Sequence, residues 1–341
     1  MKAIQRLMMA LLMVGPLAMT QASAAGANPV EKSQVEKSAA GFATYLTGLS
    51  KEAQARGFDK TWLDNTLKNT EYRATVVKAD KSQPETKITL DDYLRTRVPD
   101  WKVSQAVSVL KENRDLLTAI GKQYQVQPRF IVALWGNESN FGKLQGNFDV
   151  LSALASLAYE GRREALFKKQ FFAALTIVKE GHISADKLKG SWAGAMGQSQ
   201  FMPTSFLTYA VDYDGDGKKD IWTNKADVFA SIANYLSSEG WDETRTWGRQ
   251  VTFSGDYQGG HAGLAKADFV PLSEWQQRGV RKYDGTALPQ VDTKASLIMP
   301  DGPDGRLYLV YNNFHTLMKW NRSTYFGVSV GYLSDRIRKG H

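Results

Sequence analysis

The spacing of apolar residues changes character near Trp241 in this 341-residue chain, and that change limits the fold more than any other feature. Before it, apolar residues recur at the three-and-four spacing of amphipathic helices. "FATYLTGLSKEAQARGF" has this spacing and ends near Gly57, and "DKTWLDNTLKN" places Asp59 as a helix N-cap. Val103, Ala106, Val107, Val109, Leu110, Leu116, Leu117 and Ile120 mark helix over 101–124. Residues 149–181 are strongly helical with a break at "YEGRRE", and 225–239 turn Val228, Phe229, Ile232, Tyr235 and Leu236 inward. A polar loop is expected over 78–87, "KADKSQPETK". After Trp241, "RQVTFSGDYQGG", "ADFVPL" and "ASLIMPDGPDGRLYLVYNNF" are short β-prone runs between Gly, Asp and Pro turns, with "DGPDGR" as a hairpin tip or tight loop. Residues 323–338 return to helix. The expected class is α+β: mainly helical, with a small β-rich region and no solenoid repeat.

The first 24 residues stand apart. Lys2 and Arg6 precede the apolar run "LMMALLMVGPLAM", and "ASA" at 22–24 suits cleavage. This is the pattern of a secretory signal peptide, with the mature chain expected to start at Ala25 or within a residue or two. The chain has no cysteine, so neither a disulfide framework nor a lipid-bearing cysteine is available. A soluble protein of the periplasm, with no stable membrane anchor, is the expectation. With four histidines in all, a metal site must draw mainly on oxygen. The formal charge of +8 suits an acidic polymer or an anionic surface, and equally plain solubility. No block of Lys and Arg is long enough to suggest nucleic-acid binding.

Three segments carry chemistry. The first is "WGNESNFG" at 135–142. Pro128 suits the first turn of the preceding helix, and Ile131, Leu134 and Glu138 share one face. A carboxyl group against apolar packing has its charged form disfavoured, so its pKa rises and it can donate a proton to a leaving oxygen. A helix-end salt bridge is the plainer alternative. The second is "GSWAGAMGQSQFMP": Gly190, Gly194 and Gly197 permit a tight backbone, and Gln200 offers an amide that suits an N-acetyl group. Met196, Phe201 and Met202 offer apolar faces to a sugar ring. Tight packing alone would also explain it. The third is "DYDGDGKKDIW", in which Asp212, Asp214 and Asp216 alternate and Gly217 sits at loop position six, as in the opening of an EF-hand calcium loop. Thr223 stands at position twelve in place of glutamate, leaving Asp220 or Asp227 to close the site. Calcium is favoured over magnesium, and no organic cofactor is expected.

Together "WGNESNFG", "GRREALF", "LKGSWAGAMGQSQFMPTSFLTYAVDYDGDGKKDIW", "NYLSSEGW", "QPE" with "DDYL", and "NNFHTLMKWNRSTYF" resemble the lytic murein transglycosylase B family over about 40–340. The resemblance implies cleavage of peptidoglycan strands between N-acetylmuramic acid and N-acetylglucosamine. It also implies a lysozyme-like catalytic core at 126–250, after the signal peptide at 1–24 and a helical region at 25–125. A β-rich region at 251–312 and a C-terminal segment at 313–341 returning to the core would follow. Glu138 matches the single catalytic acid. Gln200, Phe201 and Met202 match the sugar-contacting block, Tyr93 and Tyr235 aromatic groove positions, Arg162 and Arg163 a basic pair near the cleft. Asn321 and Tyr325 fall in the segment that lines the groove. Asp212, Asp214, Asp216, the Lys218 backbone and Asp227 match the metal loop. Trp320 stands where tyrosine is expected, and Asn137 where a small or apolar residue is expected.

A single acid is chemically sufficient if no water attacks. The muramyl C6 hydroxyl, already part of the substrate, can be the nucleophile and form a 1,6-anhydro end. Glu138 would act first as acid and then as base. A muramidase using water would need a second carboxylate, for which Asp149 is a distant candidate. Two non-enzymatic alternatives are a peptidoglycan-binding protein and a calcium-dependent structural domain.

Overall fold

The computed structural model describes residues 39–82, 88–255 and 261–340. The leader, and "QPE" at 83–85, lie outside them. In chain order the helices begin with α1 (Ala39–Ala55), α2 (Lys60–Leu67), α3 (Ala74–Lys81), α4 (Leu90–Arg97), α5 (Asp100–Glu112), α6 (Arg114–Tyr124) and α7 (Pro128–Ser139). After β1 (Phe148–Asp149) come α8 (Val150–Glu160), α9 (Glu164–Lys179), β2 (Lys189–Gly190), α10 (Pro203–Tyr209) and α11 (Lys225–Ser238). Then follow β3 (Gly248–Phe253), β4 (Val270–Pro271), α12 (Leu272–Gln277), β5 (Val280–Lys282), β6 (Lys294–Ile298), β7 (Leu307–Val310), α13 (Asn312–Trp320) and α14 (Thr324–Lys339).

The chain forms two compact units. Among described residues the first comprises 39–82, 146–196 and 201–204, and the second 88–145, 197–200 and 205–340. The units cut across the linear segments expected from composition. The helical segment before residue 125 is divided between them, and the β-rich region shares a unit with α4–α7.

The physical reason is visible in the first unit. The Oγ atoms of Ser152 and Ser156 on α8 accept the main-chain N–H groups of Glu71 and Arg73, which ties the segment before α3 to α8. Phe42, Tyr45, Tyr72 and Tyr159 pack as one aromatic cluster with centroids 5.4–5.8 Å apart. The loop expected from residue 78 is helical as far as Lys81, because Asp80 is buried and paired with Arg162 and Arg163 at the α8–α9 turn.

In the second unit, 101–124 is two helices, broken at Asn113. The sheet is antiparallel throughout, in the order β4-β6-β7-β3-β5. Its apolar face joins Val251, Val280, Ala295, Leu297, Leu307 and Leu309 with Leu272 and Trp275 of α12. It begins at Gly248, where a Cβ would lie 2.8 Å from the Leu309 carbonyl oxygen. The "DGPDGR" stretch forms the turn between β6 and β7, and α14 is capped by Ser323 at its start and Gly340 at its end.

Candidate active site

Glu138 stands in the last turn of α7, a helix whose residues Phe130 through Asn137 are all buried. Pro128 occupies the first turn, as its fixed φ allows. The exit is sharply shaped. Asn140 and Phe141 both take left-handed backbone, with φ of 51° and 60°. Phe141 then folds back on Gly136, where a Cβ would meet its ring at 2.7 Å. Ser139 Oγ accepts the Gly142 N–H, and a Cβ on Gly142 would lie 2.3 Å from Gln198 Oε1. Both glycines flanking the acid are therefore required by close approach. Beneath this turn lies Lys102, fully buried, whose Nζ donates to the Gly136 carbonyl at 3.1 Å. A cation at a helix C-terminus is favourable, yet burial, with nearby Arg97, lowers this ammonium to about 8.

Glu138 keeps a partial opening to solvent, but its carboxyl group is heavily desolvated. Burial raises its pKa from 4.5 to about 7, against opposing contributions from a Trp320 hydrogen bond and the Arg97 charge. The bond runs from Trp320 Nε1 to Glu138 Oε1 at 2.6 Å. Among the described residues, no carboxylate is in the group that shifts Glu138. Asp149 is occupied in the first unit, where it caps α8 through the Ser152 N–H and pairs with Lys189.

Aromatic residues surround the acid within the second unit. Tyr235 packs on Trp320 with centroids 4.6 Å apart and on Tyr209 at 4.4 Å. Tyr93 meets Tyr325 edge-on at 5.5 Å, and the Arg97 guanidinium lies 5.6 Å from the Tyr93 ring. Burial pushes the pKa of the Tyr93 hydroxyl up, against opposing contributions from Arg97 and Ser329. Tyr325 donates to the Ile88 carbonyl and to Asp301, which also accepts the Leu90 N–H. Asn321 spends its side-chain oxygen on the Ser323 N–H at the start of α14.

Gln200 has left-handed backbone, and its Nε2 donates to the carbonyls of Gln145 and Gly197, at 3.1 and 2.9 Å. Its amide oxygen remains the side suited to a ligand. Arg162, Arg163, Phe201 and Met202 belong to the first unit. There both arginines are paired with Asp80, with Arg162 Nη2 2.5 Å from the carboxylate and more than half of its side chain exposed. Phe201 is buried and bridges Met196 through its main chain.

Sequence reasoning passed over three residues. Buried Gln198 accepts from Trp135 Nε1 and donates to the Trp222 carbonyl, tying α7 to the turn before α11. Its only sequence signal was an amide within a glycine-rich block. Lys102 gave no signal beyond a lysine between apolar neighbours, and Asp301 gave none.

The aspartate loop lies in the same unit. Carboxylate oxygens of Asp212, Asp214 and Asp227 fall within 4.8 Å of one another. Asp227 is fully buried on α11 and accepts the N–H groups of Tyr213 and Asp220. Burial raises its pKa, and the charges of Asp214 and Asp212 raise it further. None of the three is ion-paired among the described residues, so the group fits a hard cation. Asp216 stands outside the trio and accepts the Lys218 N–H. Asp220 accepts the N–H groups of Trp222 and Thr223, which makes it a turn-former.

The chain matches the family described as the transglycosylase SLT domain over residues 41–335. It is similar to the membrane-bound lytic murein transglycosylase B of Escherichia coli (strain K12), with 29% identity over 301 residues, 85% of this chain and 81% of that protein. The crystal structure of SltB3 from Pseudomonas aeruginosa, in complex with NAG-anhNAM-pentapeptide, matches with TM-score 0.84 and 38% identity, over 88% of this chain and 80% of that one. The Escherichia coli lytic transglycosylase Slt35 in complex with calcium matches with TM-score 0.76 and 26% identity, over 86% and 93% of the two chains.

Proposed function

We propose the chemistry of this site from one premise: the chain belongs to the transglycosylase SLT domain family and is a lytic transglycosylase, a peptidoglycan-cleaving enzyme. Glu138 is its acid and its base. The observation that carries this reading is a single carboxyl group poised near neutrality, with no second carboxylate among the described residues that act on it. Poised at about 7, it is present in both forms at neutral pH. The protonated form gives its proton to the glycosidic oxygen as the bond from the muramyl C1 breaks. The resulting carboxylate then takes the proton of the muramyl C6 hydroxyl as that oxygen bonds to C1. The product is a 1,6-anhydro end, and no water enters. Attack from within the same sugar replaces a bimolecular step.

Tyr93, Tyr235 and Tyr325 supply ring faces and hydroxyls for the sugars, and Gln200 supplies an amide oxygen. Asn321 keeps an amide N–H₂ available as donor. Phe201 and Met202 offer apolar contact, and Arg162 and Arg163 a cationic site held in place by Asp80. Asp212, Asp214 and Asp227 would hold calcium, with Asp216 and the Lys218 main-chain oxygen as the further ligands that the family resemblance implies. The ion supplies stability, by neutralising carboxylates that otherwise repel one another. Support comes from their convergence and from the calcium complex of the Slt35 relative.

The protein works in the periplasm, where its substrate lies. The leader supports this, and no described helix is long and apolar enough to cross a membrane. Mass analysis of digested glycan strands, before and after borohydride, tests the reaction. Anhydro fragments resist reduction and weigh about 18 Da less than hydrolytic ones, the one water that an internal nucleophile makes unnecessary. Hydrated, reducible fragments would make the protein a muramidase.

A further inference from the structure

Trp320 does more than pack. Its Nε1 donates to Oε1 of Glu138, and among the described residues no protein group bonds Oε2. An indole N–H donates and cannot accept. In a neutral carboxyl group the carbonyl oxygen is the good acceptor and the hydroxyl oxygen a poor one. The indole therefore selects Oε1 as the carbonyl and leaves the proton on Oε2.

We propose that Trp320 is a positioning residue that gives the two oxygens of Glu138 separate tasks: Oε1 is held, while Oε2 delivers the proton and later recovers it. The proposal rests on Glu138 being the acid and base. The atoms balance. The Oε2 proton passes to the glycosidic oxygen, which keeps the electron pair of the broken C1–O bond. The C6 oxygen bonds to C1, and its proton returns to Oε2. A tyrosine at this position could accept the acidic proton through its own hydroxyl and compete with the substrate. Tryptophan cannot, which gives the departure from the expected tyrosine a chemical meaning.

The indole is braced by a closed circuit. Trp320 packs on Tyr235, Tyr235 packs on Tyr209, and the Tyr209 hydroxyl donates to Glu239. Lys319, adjacent to Trp320, pairs with the Glu239 carboxylate at 3.0 Å and donates to its main-chain carbonyl at 2.9 Å. Among the described residues, the other titratable or charged groups around the acid are Arg97 and Tyr93 of α4, Lys102 of α5 behind the Gly136 carbonyl, Tyr235 of α11 and Tyr325 of α14. Of these, the lysine and arginine donate without accepting.

The test compares the full-length wild type with Trp320→Phe and with a protein carrying benzothienylalanine at 320, an indole isostere with sulfur in place of N–H. Each is assayed on purified glycan strands across pH. Loss of a bond to the charged form raises the Glu138 pKa, so the alkaline limb of kcat/KM should move up by about one pH unit. We expect kcat at neutral pH to fall about tenfold and KM to change less than about twofold, because the ring face is kept and only the orientation of the acid is lost. An unchanged limb in the isostere overturns the proposal, including when Trp320→Phe lowers the melting temperature, since that pattern is packing alone. Should Trp320→Phe not fold, the isostere decides. Activity in Glu138→Gln would instead overturn the assignment of the acid. An inactive Glu138→Gln with an unshifted isostere overturns the role of Trp320 alone.

Discussion

Two sites in the second unit hold carboxyl groups whose pKa is raised, and they reach that state by opposite means. Glu138 is solitary: burial raises it, and its hydrogen-bond partner is a neutral indole. Asp227 is social: burial raises it too, but two further aspartates crowd it. An isolated desolvated acid resolves its energetic problem by holding a proton, and it can hand that proton on. Three converging acids can resolve theirs by sharing a cation, which would then hold them inert. Solitude makes an acid reactive, and company makes it structural.

The strongest way to break the contrast is Glu138→Gln. The amide keeps the volume but cannot cycle a proton, so turnover should fall by roughly 10³-fold or more. Assays on purified sacculi check this, and near-normal turnover in a folded variant would end the proton-transfer reading. Calcium comes next. At about 100 times its dissociation constant, an ion bound only by the native state adds about 2.7 kcal/mol. Thermal melts with calcium and with chelator should differ accordingly, and Asp227→Asn should erase the difference while kcat stays unchanged. Identical melts, with no metal found by elemental analysis, would remove the second half of the comparison.

Acidity sharpens the contrast further. The native Glu138 pKa of about 7 lies above its ordinary 4.5. Between these values the native state holds a proton that the unfolded chain has released. Its contribution to stability is complete below 4.5 and is lost as pH rises towards 7. Glu138→Gln should therefore match wild type near pH 4 and exceed it by roughly 3 kcal/mol near pH 8, as denaturant titrations can show. A constant difference would mean that the carboxyl group is not desolvated.

The smallest effects compare two glycines. Gly142, with φ of 81°, has Gln198 Oε1 where a Cβ would go, whereas Gly217, with φ of 88°, has open space. Gly142→Ala should cost roughly 2 kcal/mol from overlap and left-handed strain, and Gly217→Ala roughly 1 from strain alone. Equal costs would show that the reactive site is no more tightly built than the metal loop.

Much of this was legible in the sequence. Helical spacing marked α1, α8, α9 and α11, and Asp59 and Pro128 marked the starts of α2 and α7, because amphipathic burial and capping are local. Glu138 and the alternating Asp212, Asp214 and Asp216 also stood out, since an acid ending an apolar run and alternating aspartates are local patterns; the group that converges holds Asp227, fifteen positions on from Asp212, in place of Asp216. The division into units did not, because Ser152 and Ser156 bind a segment some eighty residues away. The Trp320 bond spans 182 positions, and the Asp301 bond to Leu90 spans 211. No window of sequence contains such pairs. The role of Gln198 was hidden for another reason: a buried amide and an exposed one are the same letter.

The helix that bears Glu138 is enclosed along nearly its whole length, from Phe130 to Asn137. The proposed acid is thus mounted on a segment with little room for change. Lineages of this enzyme cannot adjust the acid by altering its own neighbourhood in the chain, since almost every change there is also a change to the interior. Adaptation to a new wall chemistry or a new acidity has to come through residues that reach the carboxyl group from elsewhere, with Trp320 the nearest. Variation should gather at that far end, while α7 stays frozen.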